Sequence, residues 1–422
     1  MDLSLPRGMR DLKPEEYEAL ERVRATFIEV ARVFGFRLME PSPIEMLQTL
    51  EAKSGAGVRD EVYHFKDKGG RDVGLRFDLT VGLTRYVISN RGLPLPIKIG
   101  AFSGMWRYDE PQYGRYRWFY QWDAEIFGTK SIDADAEIVD FTSTLLDKLG
   151  LKEASIEIGD RRIIEEFIHS RLGISDENKI LTLLRAVDKL ERKNVDEVLE
   201  EYTGKGVDRE ALSRLTEFGS LKGKPERVLD SLVNEGLQQI EDMTRLVDAL
   251  KARRVPNVTL NMGIVRGLDY YTGIVFEVFE NKKRNLGALA GGGRYDILPE
   301  IFGRSDIGAT GVAGGVERTI LALSKREETG VESKRVFVGY VGEDMAGVAA
   351  EITSNLRRRG LPVDIEVSGR NLRKQLEYAS KSASLFVIVG PRDYAERKVT
   401  LRDMESGAES KIPLEELEAR LR

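Results

Sequence analysis

Apolar residues recur at helical spacing over residues 14–35, close to the start of the chain. They occupy positions i, i+3 and i+4, which places them on one face of a helix. Pro14 suits the first turn of that helix, and Gly35 suits its end. An extended stretch interrupted by Pro41 and Pro43 follows. The pattern predicts an amphipathic helix whose buried face consists of Leu20, Val23, Phe27, Val30, Ala31 and Phe34.

Between residues 96 and 128 two extended arms flank a polar loop, YDEPQYG, and this pattern predicts a β-hairpin. Side chains alternate between the two faces of a strand. One face of the second arm is expected in the core and consists of Tyr116, Trp118, Tyr120, Trp122, Ala124 and Ile126. The other face is either a solvated edge with cross-strand ion pairs or the wall of a binding site. Its members are Arg115, Arg117, Phe119, Gln121, Asp123 and Glu125.

Two overlapping stretches lie upstream of this hairpin. The first, EVYHFKDKGGRDVGLRFD, predicts another hairpin. The second, LRFDLT, predicts a short strand on which Arg76, Asp78 and Thr80 share a face. Thr80 could instead cap the helix that follows. Asp78 is a candidate for binding an ammonium group.

The residue composition of the chain changes at two further places. Residues 161–255 are rich in Glu, Lys, Arg and Leu, which predicts several short helices. Strands and glycines then return, and the polar linker KREETGVESK precedes a β-α-β-α-β pattern, which predicts a small, largely parallel sheet. The predicted domains are residues 1–160 with 256–325, an inserted helical domain at 161–255, and an α/β domain at 333–422.

The amino-acid composition excludes several kinds of catalytic and metal-binding site. The 422 residues are 41% hydrophobic and 32% charged, which is typical of a folded globular protein of two or three domains. Cysteine is absent, so disulfides, thiolate nucleophiles and cysteine-ligated zinc are excluded. The two histidines, His64 and His169, exclude a clustered-histidine metal site but not a single catalytic histidine.

Charge and hydropathy bear on partners and location. The formal charge of −5 argues against a globally basic coat for nucleic acid, but not against local basic tracks. No run of about 18 apolar residues is found, so no membrane span is expected. The N-terminus lacks the long apolar segment of a signal peptide, and a cytoplasmic location is therefore expected.

Two glycine-rich stretches, ALAGGGRYD and GATGVAGGVERTI, fit neither a phosphate-binding P-loop nor a dinucleotide fingerprint. Arg318 follows the glycines of the second stretch and opens a helix, a placement that suits polyphosphate or, alternatively, an ordinary surface arginine. A third stretch, VRGLDYYTG, places Arg266, Tyr270 and Tyr271 close together.

These residue types combine into one hypothesis. Arginines in hairpin or glycine-rich settings suit a polyanion, and acids on polar strand faces suit an ammonium group. Together they favour a nucleoside triphosphate and an amino acid as ligands. The residues concerned are Arg107, Arg115, Arg266, Arg318, Asp78, Glu125, Tyr270 and Tyr271.

The chain closely resembles the histidyl-tRNA synthetase family, which belongs to the class II aminoacyl-tRNA synthetases. EPSPIE, WRYDEPQYGRYRWFYQWDAEIFG and GVAGGVERT resemble the three class motifs. VRGLDYYTG and AGGGRYD resemble two more specific signatures of the family. The resemblance implies an α+β catalytic domain with an antiparallel sheet flanked by helices, in a homodimer. It also implies a helical insertion and a C-terminal α/β domain that binds the anticodon.

The resemblance also implies roles for individual residues. The α-amino group of histidine would be held by Asp78, Thr80 and Gln121. The two ring nitrogens would be bound by Glu125 and Tyr271, with Tyr270 close by. Arg266 would lie between the substrate carboxylate and the α-phosphate of ATP, and Arg107 would hold that phosphate. Arg115 would lie near the ATP phosphates, and Arg318 would hold the γ-phosphate.

The implied reaction is ligation of L-histidine to the 3′ end of histidine tRNA through histidyl-adenylate, with ATP as substrate and Mg²⁺ on its phosphates. No metal ligands of the protein's own are expected. Gln112 is the candidate for contact with the tRNA acceptor end, where Glu110 replaces a basic residue common in bacterial relatives. Alternatives are a non-catalytic regulatory subunit of ATP phosphoribosyltransferase, a synthetase for another amino acid, and a tRNA-binding protein without chemistry.

Overall fold

The computed structural model describes residues 3–54, 56–110, 116–190, 193–265, 270–323 and 335–422. The chain divides into two compact units, Met1–Lys325 and Arg326–Arg422. None of the described helices is long and apolar enough to cross a membrane.

In the part of the chain that the structure describes, the first unit contains two sheets. Its strands are β1 Arg37–Leu38, β2 Ile44–Met46, β3 His64–Lys66, β4 Asp72–Leu75, β5 Ile97–Trp106, β6 Trp118–Phe127, β7 Ala154–Asp160, β8 Lys222–Gly223, β9 Val258–Asn261, β10 Ile274–Glu280, β11 Ala290–Arg294 and β12 Ala309–Gly315. Its helices are α1 Pro14–Val33, α2 Leu47–Ser54, α3 Thr80–Ser89, α4 Ile132–Lys148, α5 Arg161–Leu172, α6 Glu177–Lys189, α7 Val195–Thr203, α8 Arg209–Gly219, α9 Pro225–Asn234, α10 Glu241–Ala252, α11 Ile297–Ile301 and α12 Val316–Leu323.

The larger sheet of this unit has the order β1-β5-β6-β12-β11-β10-β7-β9-β8 among the described residues. The five pairings from β5 to β7 are antiparallel, and parallel pairs join β1 to β5 and β7 to β9. The predicted antiparallel sheet flanked by helices is therefore confirmed. A smaller sheet has the order β2-β4-β3.

One face of the larger sheet packs against α1 and α4. Trp122, Phe27 and Phe141 are fully buried there, with ring centroids 6.0–6.2 Å apart. Gly314 lies opposite Trp122, and a Cβ at that position would be 2.1 Å from the indole. The bulk of the tryptophan therefore requires a glycine on the neighbouring strand.

Helices α5–α10 occupy the segment that the sequence predicts to be helical, and they belong to the same hydrophobic core as the sheet. Phe167 and Phe218 stack within this segment with their centroids 4.0 Å apart. β8 also joins the segment to the edge of the sheet by pairing with β9. The segment is thus continuous in packing with the sheet that carries it.

Several predicted elements are confirmed. α1 buries the expected apolar face, with Phe34 half-buried, and β5 and β6 form the expected hairpin. The upstream hairpin is the β3–β4 pair, and His64 is exposed on it.

The prediction that LRFDLT forms a strand is wrong. β4 ends at Leu75, and Thr80 is the first residue of α3. The reason is that Arg76 turns inward: its buried guanidinium donates to the carbonyls of Pro41 (2.5 Å) and Gly104 (2.9 Å). The chain therefore leaves the small sheet at this arginine.

The second unit has its own hydrophobic core. Its strands are β13 Val336–Tyr340, β14 Val363–Ile365, β15 Leu385–Val389, β16 Lys398–Asp403 and β17 Glu409–Pro413, and its helices are α13 Ala346–Arg358, α14 Leu372–Ser382, α15 Pro391–Ala395 and α16 Leu417–Leu421. The strand order is β14-β13-β15-β16-β17, with β13 parallel to both neighbours. The predicted β-α-β-α-β pattern is confirmed, and an antiparallel pair extends it.

Candidate active site

The face of the sheet opposite α1 and α4 forms a groove with a floor of very small residues. The central strands β11 and β12 present Gly291, Gly311, Ala313 and Gly315 to this face. The strands on either side present longer polar side chains. Directly opposite pairs run across the floor: Asp123 with Ala313, Ala313 with Gly291, and Gly291 with Glu277. The groove is therefore open above the glycines, and the acidic side chains of Asp123 and Glu277 lie on either side of its floor.

A compartment of about 130 Å³ occupies the β6 side of the groove. Glu125 and Tyr295 lie at its base, and both are buried. The Tyr295 hydroxyl donates to Glu125 Oε2 at 2.6 Å. Burial raises the pKa of Tyr295 well above its usual value, and the adjacent Glu125 carboxylate raises this pKa further. Tyr295 therefore remains a proton donor, and Glu125 is oriented by it.

Gly311 is required by this carboxylate. A Cβ at Gly311 would lie 1.3 Å from Glu125 Oε2, which no side chain could tolerate. The Glu125 carboxylate thus occupies the volume that a side chain on β12 would otherwise fill.

A second buried carboxylate, Asp123, organises the wall of the compartment. Gln121 Nε2 donates to Asp123 Oδ1 at 2.9 Å, and Thr80 Oγ1 donates to Asp123 Oδ2 at 3.4 Å. Asp78 lies close in sequence to Thr80, and its Oδ1 accepts from the backbone N–H of Val81 at 3.2 Å. Acceptors and donors of Asp78, Thr80 and Gln121 therefore surround one small volume, and all three residues are buried.

Tyr270 and Tyr271 form the other wall, with ring centroids 4.3 Å apart and an interplanar angle of 43°. Burial raises the pKa of Tyr271 well above its usual value, and the neighbouring Tyr270 raises this pKa further. Tyr271 is therefore a hydroxyl donor at neutral pH. Arg266, from the same sequence stretch, lies outside the described residues.

A larger compartment of about 440 Å³ continues from the first. The two share Arg107, Gln121, Tyr270, Tyr271, Gly291 and Ala313. Arg107 is held by a hydrogen bond from its Nε to the Phe77 carbonyl (2.9 Å) and lies 5.1 Å from the centre of the Phe119 ring.

Arg318 lines the far side of the larger compartment, where its NH1 donates to the Ala288 carbonyl at 3.0 Å. Glu277 and Glu317 also line this compartment, and the Glu317 carboxylate accepts from the backbone N–H of Tyr120. Two arginines thus stand at separate points around one polar cavity.

The structure brings together eight of the predicted site residues, namely Asp78, Thr80, Arg107, Gln121, Glu125, Tyr270, Tyr271 and Arg318. Arg115 and Gln112, like Arg266, lie outside the described residues. Arg117, which shares the predicted polar face, is turned elsewhere: its Nε donates to the Asp109 carbonyl at 3.0 Å. The polar face of β6 is not a solvated edge, because Gln121, Asp123 and Glu125 are all buried.

Sequence reasoning did not single out Tyr295 or Glu277. Tyr295 lies in AGGGRYD, and the signal available was an aromatic hydroxyl directly after a glycine-rich strand. Glu277 is an acid between apolar residues of the strand IVFEVFE, which is unusual for a core strand. Neither signal indicates a partner until the strand pairing is known.

Across the described residues, no group of three or more His, Cys, Asp or Glu side chains could hold a metal ion.

Comparison with known proteins gives consistent results for the whole chain. Residues 8–319 match the profile of the histidyl-tRNA synthetase family, and residues 335–422 match that of an anticodon-binding domain. A histidine–tRNA ligase of Pyrococcus abyssi is 38% identical over 99% of this chain and 98% of its own length.

Solved structures extend the comparison to the fold. The crystal structure of histidyl-tRNA synthetase from Nostoc sp. PCC 7120 superposes with a TM-score of 0.86 over 100% of this chain and 99% of that chain, at 24% identity. A Bacillus halodurans structure, described as an ATP phosphoribosyltransferase regulatory subunit/histidyl-tRNA synthetase, has a TM-score of 0.76 at 23% identity, covering 92% of this chain and 98% of its own. At these identities the two structures support the fold alone.

Proposed function

Because this chain belongs to the histidyl-tRNA synthetase family, we propose that its glycine-floored groove holds histidine and ATP side by side for the family's reaction. That reaction, charging of tRNA with histidine, is the activity of this chain, since curated histidine–tRNA ligases match it over nearly its whole length. The observation that carries the proposal is the buried Glu125–Tyr295 pair at the base of a small polar compartment that opens into an arginine-lined one.

Histidine occupies the small compartment in this proposal. Its ammonium group is held by Asp78, Thr80 and Gln121, which surround one volume and are organised by Asp123. Its imidazole points toward Glu125, which accepts a hydrogen bond from one ring nitrogen, while Tyr271 donates to the other. Tyr295 fixes the Glu125 carboxylate and so belongs to the recognition site.

ATP occupies the larger compartment. Arg107 lies in the walls of both compartments, which suits the α-phosphate at the point of reaction. Arg318, on the far side, suits the γ-phosphate, since arginine binds phosphate oxygens through charge-assisted hydrogen bonds. Two further arginines complete the proposed set, and their roles are taken from the family resemblance. Arg266 would lie between the carboxylate and the α-phosphate, and Arg115 would lie near the phosphates.

The chemistry needs no nucleophile from the protein. A histidine carboxylate oxygen attacks the α-phosphorus, the bond to the β-phosphate bridging oxygen breaks, and pyrophosphate leaves. The protein lowers the barrier by holding the two substrates in line and by stabilising the charge that develops on the phosphate. The terminal ribose hydroxyl of the tRNA then attacks the carbonyl of the adenylate and loses its proton as the ester bond forms. The bond between the carbonyl carbon and the phosphate oxygen breaks, and AMP leaves with that electron pair.

Mg²⁺ is expected to enter with ATP. Magnesium is usually bound through one or two carboxylates together with substrate phosphates, rather than by an all-protein cage. The sequence singles out no metal ligand of the protein's own, but Glu277, which lines the ATP compartment, would supply such a carboxylate. The ion would offset phosphate charge there. Exchange of pyrophosphate into ATP that persisted in the presence of excess chelator would contradict this expectation.

Selectivity follows from the buried polar groups. A side chain that cannot bond to both Glu125 and Tyr271 leaves one of them unpaired in a buried site. Sites built in this way reject analogues by about 10⁴–10⁵, so the proposal needs no editing domain.

Two copies of the chain are proposed to form a homodimer. A groove of about 670 Å³ is lined by apolar side chains that include Phe27, Leu38 and Phe102. Leu38, Ile44 and Met46, within or beside EPSPIE, are exposed large apolar residues. Sedimentation should show a species of twice the 47.5 kDa chain mass, and a monomer at micromolar concentration would refute the dimer.

The remaining proposals concern tRNA, location and domain edges. The second unit binds the anticodon, in keeping with the profile that it matches, and Gln112 contacts the acceptor end. The chain acts in the cytoplasm, where ATP and tRNA are both available, and cell fractionation would test this. The domain edges at residues 160, 255, 325 and 333 remain proposals, and limited proteolysis would check them.

The alternative of a non-catalytic regulatory subunit is less supported. The curated relatives that match over nearly the full length are named histidine–tRNA ligases, at 36–38% identity. Residues 335–422 also match the profile of an anticodon-binding domain.

Paired substitutions test the proposed site. Glu125→Gln should raise the KM for histidine by about 10–100-fold in pyrophosphate exchange, the range expected for a lost hydrogen bond to a charged group. It should leave the KM for ATP nearly unchanged. Arg318→Ala should do the reverse, so each variant is the control for the other. Equal changes of both constants in either variant would contradict the assignment.

A further inference from the structure

A further cavity adjoins the ATP compartment on the side of the helical segment. Its volume is about 530 Å³, and it lies between the end of α8 with β8 on one side and residues 284–288 on the other. It shares Ala288 and Arg318 with the ATP compartment. Arg318 therefore lines both cavities and lies at the boundary between them.

The wall of this cavity carries two cations around one buried acid. Lys222 Nζ and Arg284 NH2 both bind Glu157 Oε1, at 2.6 and 2.8 Å. Asn261 Nδ2 donates to the other carboxylate oxygen at 2.8 Å. One carboxylate facing two cations leaves this cluster with a net positive charge, and Arg318 is a further cation across the cavity.

Glu157 is the buried anion of this cluster. Its side chain is 1% exposed, whereas those of Lys222 and Arg284 are 39% and 45% exposed. Burial opposes the charge on Glu157, but hydrogen bonds from Lys222, Asn261 and Arg284 outweigh burial and hold its pKa below the usual value. The cations thus reach the cavity while the anion stays beneath them.

We propose that this cavity receives pyrophosphate as it leaves the ATP compartment, and that Lys222 and Arg284 are product-binding residues. The inference rests on the proposed function, because it takes the polyphosphate end of ATP to lie at Arg318. When the α-phosphorus bond to the bridging oxygen breaks, the leaving group carries that electron pair away as a polyanion. Lys222 and Arg284 are cations beyond Arg318 that line the adjoining space.

The backbone holds Lys222 in place for this role. Lys222 lies on β8, directly opposite Asn261 of β9 in an antiparallel pair. The helical segment also approaches the sheet closely at Gly263, where a Cβ would lie 2.9 Å from the Gly219 carbonyl oxygen. In this proposal the helical segment contributes to the first half-reaction, which does not require tRNA.

Two alternative roles for Lys222 predict different kinetics. Lys222 could serve only to neutralise the buried Glu157, in which case its loss would lower stability and shift all kinetic constants together. Alternatively, Lys222 and its cavity could bind a backbone phosphate of tRNA, in which case only the KM for tRNA would change.

The test is the KM for pyrophosphate in histidine-dependent exchange with the full chain. Lys222→Met should raise this KM about tenfold, as expected for one charge-assisted contact, and leave the KM for histidine unchanged. Lys222→Arg should restore it. Glu157→Gln should lower it, because the variant removes the anion and keeps the shape of the side chain. A purely structural role would not make the KM for pyrophosphate rise in Lys222→Met and fall in Glu157→Gln.

Lys251→Met is the matched control. Lys251 also lies in the helical segment and is also ion-paired, with Glu226 at 2.8 Å, but it does not line the cavity. The KM for pyrophosphate should not respond to this change. If Lys222→Met leaves the KM for pyrophosphate unchanged, the proposal is overturned, and a rise in the KM for tRNA alone would assign the cavity to tRNA. No exchange in the unmodified chain would instead refute the proposed function itself.

Discussion

At the scale of single residues, recognition depends on a buried acid whose position is set by its neighbours. The period of two along its strand places Glu125 on one face with Gln121 and Asp123, but it leaves open whether that face is solvated or lines a binding site. It does not identify Tyr295, because Tyr295 reaches Glu125 only through the pairing of β11 with β12 and of β12 with β6. Such contacts depend on strand order, which periodicity does not encode.

Removing the Tyr295 hydroxyl tests this arrangement. Tyr295→Phe keeps the buried ring but deletes the 2.6 Å hydrogen bond to Glu125. We expect the KM for histidine to rise by about tenfold or more, since hydrogen bonds to charged groups contribute about 1.5–3 kcal/mol. The KM for ATP should change little. An unchanged KM for histidine would show that Glu125 does not depend on Tyr295.

At the scale of elements, the groove exists because two adjacent strands carry almost no side chains on one face. The sequence shows the glycine-rich stretches, but glycine alone does not distinguish a turn from a strand. In the structure both stretches are central strands, and their glycines leave room for the flanking acids.

A single methyl group should close the histidine compartment. Gly311→Ala would place a Cβ 1.3 Å from Glu125 Oε2, so the carboxylate must move and lose its bond to Tyr295. We expect kcat/KM for histidine to fall by on the order of a hundredfold.

Gly92→Ala is the control for this substitution, because no described atom lies within 4 Å of where its Cβ would be. It should keep normal activity, with a stability change within about 1 kcal/mol. Histidine kinetics that are equally affected in both variants would argue against the proposed packing at Gly311.

Local sequence patterns predicted an element well where one apolar face determines how the element packs, as in α1 and the β5–β6 hairpin. They failed at LRFDLT, where Arg76 finds buried acceptors at Pro41 and Gly104 that are distant in sequence. The failure has consequences for the site, since it places Asp78 and Thr80 at the start of α3 rather than along a strand.

At the scale of the whole molecule, the chain combines two units with separate cores. The change of composition near residue 161 predicted the helical segment, but not that its helices share a core with the sheet or that Lys222 binds Glu157 across it. That continuity places a lysine of the helical segment beside the proposed ATP site.

The central claim is that the groove activates histidine and no other amino acid. The most direct test is ATP–pyrophosphate exchange by the full chain, with each of the twenty amino acids supplied separately, in the presence of Mg²⁺ and without tRNA. The account predicts exchange with histidine alone, because its ring presents one nitrogen to Glu125 and the other to Tyr271 while its ammonium group is held by Asp78, Thr80 and Gln121. Exchange with a different amino acid, or with none from folded protein, would contradict it.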